Sequence, residues 1–196
     1  MRKLGLTGTI ASGKSTTAAM FGRAGAAVFS GDDAVHALYR GAAAPLVETA
    51  FPGTTENGEV NRSRLGEIMS RDPAALKKLE AIVHPLVRAE EERFLAAAAA
   101  AGRQITVSDI PLLFEAGGAG RYDAVIVTTA PEEVRQQRAR ARPGMTAEKY
   151  DALNARQMPD AEKRRRAHFV VDTGKGLQEA ERAVADILRA LAARAG

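Results

Sequence analysis

Short apolar runs alternate with longer stretches of helical periodicity along this chain. The runs fall at residues 3–7, 26–29, 104–109, 124–128 and 169–171. Each is apolar or β-branched, as a strand buried on both faces of a parallel sheet should be. Strands separated by helical patterns predict an α/β fold, three layers deep, around a five-stranded parallel sheet. The last stretch, 176–195, carries Leu177, Ala180, Val184, Ile187, Leu188 and Leu191 on one stripe, which predicts a helix packed on that sheet.

Two stretches interrupt this alternation. Residues 35–102 read as entirely helical and close on an alanine run, 96–101, followed by Gly102, a helix C-terminal signal. Residues 131–166 are polar, helical and rich in arginine. Both follow strand ends, where α/β folds carry active-site insertions. The pattern therefore predicts a core of 1–34, 103–130 and 167–196, with inserted segments at 35–102 and 131–166. There are no repeats and no Pro-, Gly- or Ser-rich linker to split the chain.

Composition changes this picture little. The 196 residues are 45% hydrophobic and 27% charged, ordinary for a soluble globular protein. The absence of cysteine excludes disulfides, cysteine-ligated zinc and a thiol nucleophile, and it fits a cytoplasmic enzyme. The longest apolar run, 94–101, is far below the ~20 residues of a spanning helix, so no membrane association is expected. Arg2 and Lys3 open the chain like a signal peptide, but the apolar stretch after them breaks at glycines. The net charge of +4 suits a polyphosphate ligand through arginine forks as well as it suits nucleic acid. An aromatic content of 5% and no tryptophan weigh against a stacking surface for single strands, and no nucleic acid is expected.

The chemistry begins at Gly8-Thr9-Ile10-Ala11-Ser12-Gly13-Lys14-Ser15, which matches G-x-x-x-x-G-K-[ST] between an apolar strand and a helix starting at Thr16. Such a loop turns successive N–H groups inward onto phosphate oxygens, at a helix N-terminus of partial positive charge. Gly8, Ala11, Ser12, Gly13, Lys14, Ser15 and Thr16 are thus expected to bind the phosphates of ATP. Lys14 reaches the β- and γ-phosphates, and the Ser15 hydroxyl ligates Mg²⁺. The GTPase motif Asn-Lys-x-Asp is absent, and the arginine-rich segment suits the closing lid of a small-molecule kinase. Asp32 and Asp33 follow the second strand. A carboxylate there can accept the proton of an attacking hydroxyl, or one or both can cap the next helix. Asp109, ending the third strand, is a possible acid near Mg²⁺.

Several ordered blocks resemble the dephospho-CoA kinases over residues 4–174. They are Gly5-Leu6-Thr7-Gly8 with the P-loop, 28–38 with its aspartate, His84-Pro85-Leu86, Pro111-Leu112-Leu113-Phe114-Glu115, Arg138-x-x-x-Arg142, Gln157, and Phe169-Val170-Val171-Asp172-Thr173-Gly174. The resemblance implies a P-loop NTPase core, a helical CoA-binding insertion at 35–102 and a lid at 131–166. It also implies transfer of the ATP γ-phosphate to the ribose 3′-hydroxyl of dephospho-CoA, the last step to coenzyme A. Asp32 aligns with the proposed base; Ser30 replaces the family's first aspartate, and Asp33 falls at a variable position. Thr9 and Ala11 replace usual glycines, and phosphate binding is expected to survive if their φ angles stay negative. His84, placed at a helix start by Pro85, reads as a turn histidine or a substrate contact. Arg88 is on the same face, and Pro111 and Leu112 are near the substrate by resemblance. Arg138, four residues before Arg142, is expected to share a lid-helix face with it and clamp phosphates, Arg138 as a catalytic group; the alternative is a solvated basic face, which suits 164–166 better. Another small-molecule P-loop kinase, acting on a nucleoside monophosphate or a sugar, and a non-catalytic nucleotide-binding regulator are the alternative functions.

Overall fold

The structure, a computed structural model, describes residues 1–193. In chain order its first elements are β1 (Arg2–Gly8), α1 (Lys14–Arg23), β2 (Ala27–Ser30), α2 (Gly31–Tyr39), α3 (Ala44–Ala50), β3 (Thr55–Glu56), β4 (Glu59–Val60), α4 (Arg62–Arg71) and α5 (Pro73–Ala100). There follow β5 (Ile105–Asp109), β6 (Ala124–Thr129), α6 (Glu132–Arg140), α7 (Ala147–Ala155), α8 (Asp160–Arg166), β7 (Phe169–Asp172) and α9 (Leu177–Ala193). Residues 194–196, the end of the predicted helix and core, lie outside the described residues. The chain divides into two compact units, Met1–Phe29 with Ala98 onward, and Ser30–Ala97.

The first unit is built on a sheet of order β2-β5-β1-β6-β7. The predicted α/β architecture with five strands is present. Central β1 pairs in parallel with β5 (Arg2 beside Ile105) and with β6 (Leu4 beside Ala124). Side chains alternate across the sheet. Leu4, Leu6, Val107, Ala124 and Ile126 meet Phe21 of α1 and Val184, Ile187 and Leu191 of α9 on one face. Val125 and Val127 meet Leu113, Phe114 and Tyr122 on the other, with Met158 and Ala167 at the edge. Two-sided burial is why these strands read as apolar runs, and it puts the P-loop at the C-terminal edge of the central strand.

The second unit has its own core, in which Leu38, Val47, Phe51, Leu65, Leu79 and Val83 are buried together. Asn61 caps α4 by accepting from the N–H groups of Ser63 and Arg64 at 3.2 Å each. Two expectations fail here. The segment is not entirely helical, because β3 and β4 form an antiparallel hairpin with Thr55 opposite Val60. Its turn is Asn57-Gly58, with φ of 52° and 80°, the paired left-handed geometry that twists with a two-residue hairpin. Nor does His84 start a helix, since His84 and Pro85 lie inside α5. An interior proline costs about 3 kcal/mol by removing a backbone bond and crowding the preceding turn. Leu79 and Val83 before it, and Leu86 and Val87 after it, pack on one cluster and carry the helix through. The predicted stop at Gly102 is present: its φ is 70°, its N–H reaches Ala99 O at 3.0 Å, and Arg103 N–H reaches Ala98 O at 3.0 Å.

Candidate active site

The P-loop joins β1 to α1 with almost no spare room. A side chain on Gly8 would collide with the Ser12 and Thr128 hydroxyls, which bond each other at 2.7 Å. Gly13 takes φ 86° at the N-cap of α1 and abuts Thr173. Thr9 keeps a negative φ, as expected, but Ala11 does not, standing at φ 59°. The left-handed region costs an L-residue about 1–2 kcal/mol. At Ala11 the cost is offset by burial, because its methyl packs on Ala139 and Tyr150.

Lys14 opens α1, and its ammonium is ion-paired with the buried Asp109 carboxylate that ends β5. Ser15 and Thr16 are exposed in the first turn. A cavity of about 260 Å³ opens beside the loop, lined by Ala11, Gly13, Thr16, Arg138, Arg142 and Thr173, among others. The structure thus brings the P-loop and both predicted arginines together. Arg142 differs from expectation in lying just past α6, whose C-cap is Ala141, so the two arginines share the cavity rather than a helix face. Arg138 is fixed by two bonds of 2.8 Å to Thr173, at Oγ1 and at the carbonyl.

The segment 131–166 folds over the loop through named contacts. The Gln157 side-chain oxygen accepts from Ile10 N–H at 2.7 Å. Within the segment, the Tyr150 hydroxyl donates to Glu132 at 2.9 Å, Arg135 pairs with the same carboxylate, and Arg135 reaches Asn154 at 3.2 Å. Burial, then the Glu132 bond, pushes the Tyr150 phenol up to about 12. Arg164, Arg165 and Arg166 are exposed and paired with Asp160 or Glu162, so they form the solvated basic face expected of them.

Pro111 and Leu112 are half-buried in the turn after β5. The Pro111 carbonyl accepts from the Thr7 hydroxyl at 2.9 Å, and Glu115 accepts from Met158 N–H at 2.8 Å while pairing with the fully buried Lys163 at 2.9 Å. His168 makes a reciprocal pair with Val125: its N–H reaches the carbonyl at 2.9 Å, and its Nδ1 accepts the amide at 3.1 Å. Asp32, His84 and Arg88 belong to the second unit. Asp32 and Asp33 are both exposed in the first turn of α2, and neither is the cap; Ser30 is, accepting from Asp33 N–H at 3.1 Å. His84 and Arg88 are exposed on α5, where Arg88 reaches Glu92 at 3.3 Å. Sequence reasoning passed over Lys163, hidden in a run of basic residues, and over Thr173, whose only signal was its place in the block 169–174 that contains β7.

A P-loop on a parallel sheet, its lysine beside a strand-end carboxylate and two arginines converging on one cavity define a small P-loop kinase. The sequence profile of the dephospho-CoA kinase family matches residues 2–179. A dephospho-CoA kinase of Mesorhizobium japonicum is 58% identical over 193 residues, covering 98% of both chains. A Thermus thermophilus protein of known crystal structure is 36% identical, with a TM-score of 0.85 over 97% of each chain. A dephospho-CoA kinase from Campylobacter jejuni shares the fold at a TM-score of 0.65 and 23% identity, over 96% of each chain. The chain belongs to the dephospho-CoA kinase family, and is by that membership an ATP-dependent phosphotransferase.

Proposed function

We propose that the cavity beside the P-loop binds ATP with Mg²⁺, and that the chain transfers the γ-phosphate to the ribose 3′-hydroxyl of dephospho-CoA in the cytoplasm. The observation that carries this reading is the convergence of the P-loop, Arg138 and Arg142 on one cavity in a chain of this family. Backbone N–H groups of the loop, other than those of Ile10 and Ser12, which bond Gln157 and the Thr9 carbonyl, would cradle the phosphates, and Lys14 would leave Asp109 for the β- and γ-oxygens, the stronger concentration of negative charge. Thr16 lines the cavity and Arg142 adds positive charge there, while Arg138 stabilises the charge on the group in flight.

Magnesium fits the residues present. The Ser15 hydroxyl in the first turn of α1 and the Asp109 carboxylate at the end of β5 are both hard oxygen donors. Ser15 would hold the ion, with Asp109 nearby. When bound, the ion would neutralise part of the negative charge of the nucleotide phosphates. The second unit carries Asp32 as base and His84 and Arg88 on α5 as acceptor contacts, and Pro111 and Leu112 are further acceptor contacts. The segment 131–166 acts as the lid.

The test is ADP release in a coupled assay with dephospho-CoA present and absent. Turnover that depends on dephospho-CoA, and falls to a small residue in Lys14→Ala at unchanged Tm, is the expected result. Efficient phosphorylation of a nucleoside monophosphate with none of dephospho-CoA would overturn the reading.

A further inference from the structure

Thr173 is 7% exposed and sits where three chain segments meet. Its hydroxyl donates to the P-loop carbonyl of Ser12 at 2.8 Å and is shared with the Thr129 carbonyl, at the end of β6, at 3.2 Å. With its donor committed there, the oxygen lone pair is free to accept, and Arg138 Nη1 takes it at 2.8 Å. Arg138 Nη2 bonds the Thr173 carbonyl, also at 2.8 Å, so the guanidinium is gripped on two donors. Arginine without such a grip carries about 2 kcal/mol of rotamer freedom.

We propose that Thr173 is a positioning residue for the kinase reaction. Its hydroxyl locks the Arg138 guanidinium against the nucleotide cavity and ties it in register to the P-loop at Ser12. The polarity of the chain of bonds matters. Because the hydroxyl proton points at Ser12 and Thr129, the face turned to Arg138 is an acceptor, matched to a cation. A side chain without that oxygen leaves one guanidinium N–H without its partner and the Ser12 carbonyl without its donor. The inference rests on the cavity being the nucleotide site proposed above.

The experiment is a double-mutant cycle on the full-length protein, with ADP binding measured by calorimetry and ATP turnover measured with dephospho-CoA. Thr173→Val removes the oxygen at nearly constant shape. It is expected to lower kcat/KM for ATP about tenfold, mostly through kcat, a step typical of losing a charge-assisted hydrogen bond. The KM for dephospho-CoA should move less than about twofold. Thr173→Ser restores the oxygen and should recover most of the loss. In an Arg138→Ala background, Thr173→Val should cost clearly less than it does alone, because the route through Arg138 is gone and only the Ser12 bond is lost. Should Thr173→Val fail to fold, Thr173→Ala takes its place in the cycle. A full tenfold effect in the Arg138→Ala background, or a serine variant as impaired as the valine one, would overturn the proposal. If Arg138→Ala alone leaves ADP binding, KM for ATP and kcat all unchanged, the nucleotide cavity itself is misassigned. If Arg138→Ala is impaired and Thr173→Val is not, only the role of Thr173 fails.

Discussion

Single side chains at the start of α2 divide their work in a way that mutation can separate. Ser30 holds the Asp33 amide, so the helix cap does not depend on either aspartate. Ser30→Ala should cost about 1 kcal/mol of stability, read as a lower Tm, the usual effect of removing an N-cap. Asp32→Asn should leave Tm nearly unchanged and lower kcat on the order of 10²–10⁴, the range for loss of a general base, with ADP affinity retained. Asp33→Asn should do much less, and a reversed ranking would move the base one residue along. Ala11 offers a second residue-scale test. Ala11→Gly relieves a left-handed φ worth about 1–2 kcal/mol and deletes a buried methyl worth about 0.8 kcal/mol. The relief equals or exceeds the loss, so Tm should stay level or rise by a few degrees, whereas Ala11→Val should lower it sharply because a β-branched residue resists that φ.

At the level of elements, α6 and α7 are joined by the bonds of Tyr150 to Glu132 and of Arg135 to Asn154. The phenol pKa is raised to about 12, so the neutral form is the one the fold prefers. Its contribution is therefore whole below the unfolded value near 10 and fades between about pH 10 and 12. Tyr150→Phe should lower Tm at neutral pH and abolish that alkaline decline, measured by thermal melts from pH 8 to 12. The strands were legible in the sequence because two-sided burial leaves apolar runs, and the P-loop because its spacing is rigid. The hairpin was missed although Asn57-Gly58 marks it, since each strand has only two residues, too few for alternation to show. The helix through Pro85 was illegible for a different reason: local propensity argues for a break, and the packing of Val83, Leu86 and Val87 that overrides it is tertiary. Arg138 and Arg142 could be read as a pair, but their convergence on one cavity, and the grip of Thr173, depend on residues that are 35 apart in sequence.

Across the whole molecule the two units carry separate halves of the proposed reaction. The residues proposed to contact the nucleotide lie in the first, and Asp32, His84 and Arg88 in the second. Substitutions should therefore sort by substrate. Arg88→Ala, at an exposed site whose bond to Glu92 contributes little to stability, should raise KM for dephospho-CoA and leave ADP affinity unchanged. Arg142→Ala should do the converse. Calorimetry with ADP beside steady-state kinetics in dephospho-CoA checks both, and a variant of each unit that shifts the other unit's substrate would count against the division.

The division also bears on how the polypeptide emerges from the ribosome. β1 is the central strand, yet its partners β5 and β6 lie beyond the whole second unit, so Arg2 must wait for Ile105. The second unit, by contrast, is one continuous stretch with its own apolar cluster. Vectorial synthesis at about 5–20 residues per second leaves the nascent β1 unpaired for several seconds while that later stretch can already collapse. Stalled chains ending shortly after residue 97 has cleared the exit tunnel should therefore show protease protection within 30–97 before any appears in the P-loop.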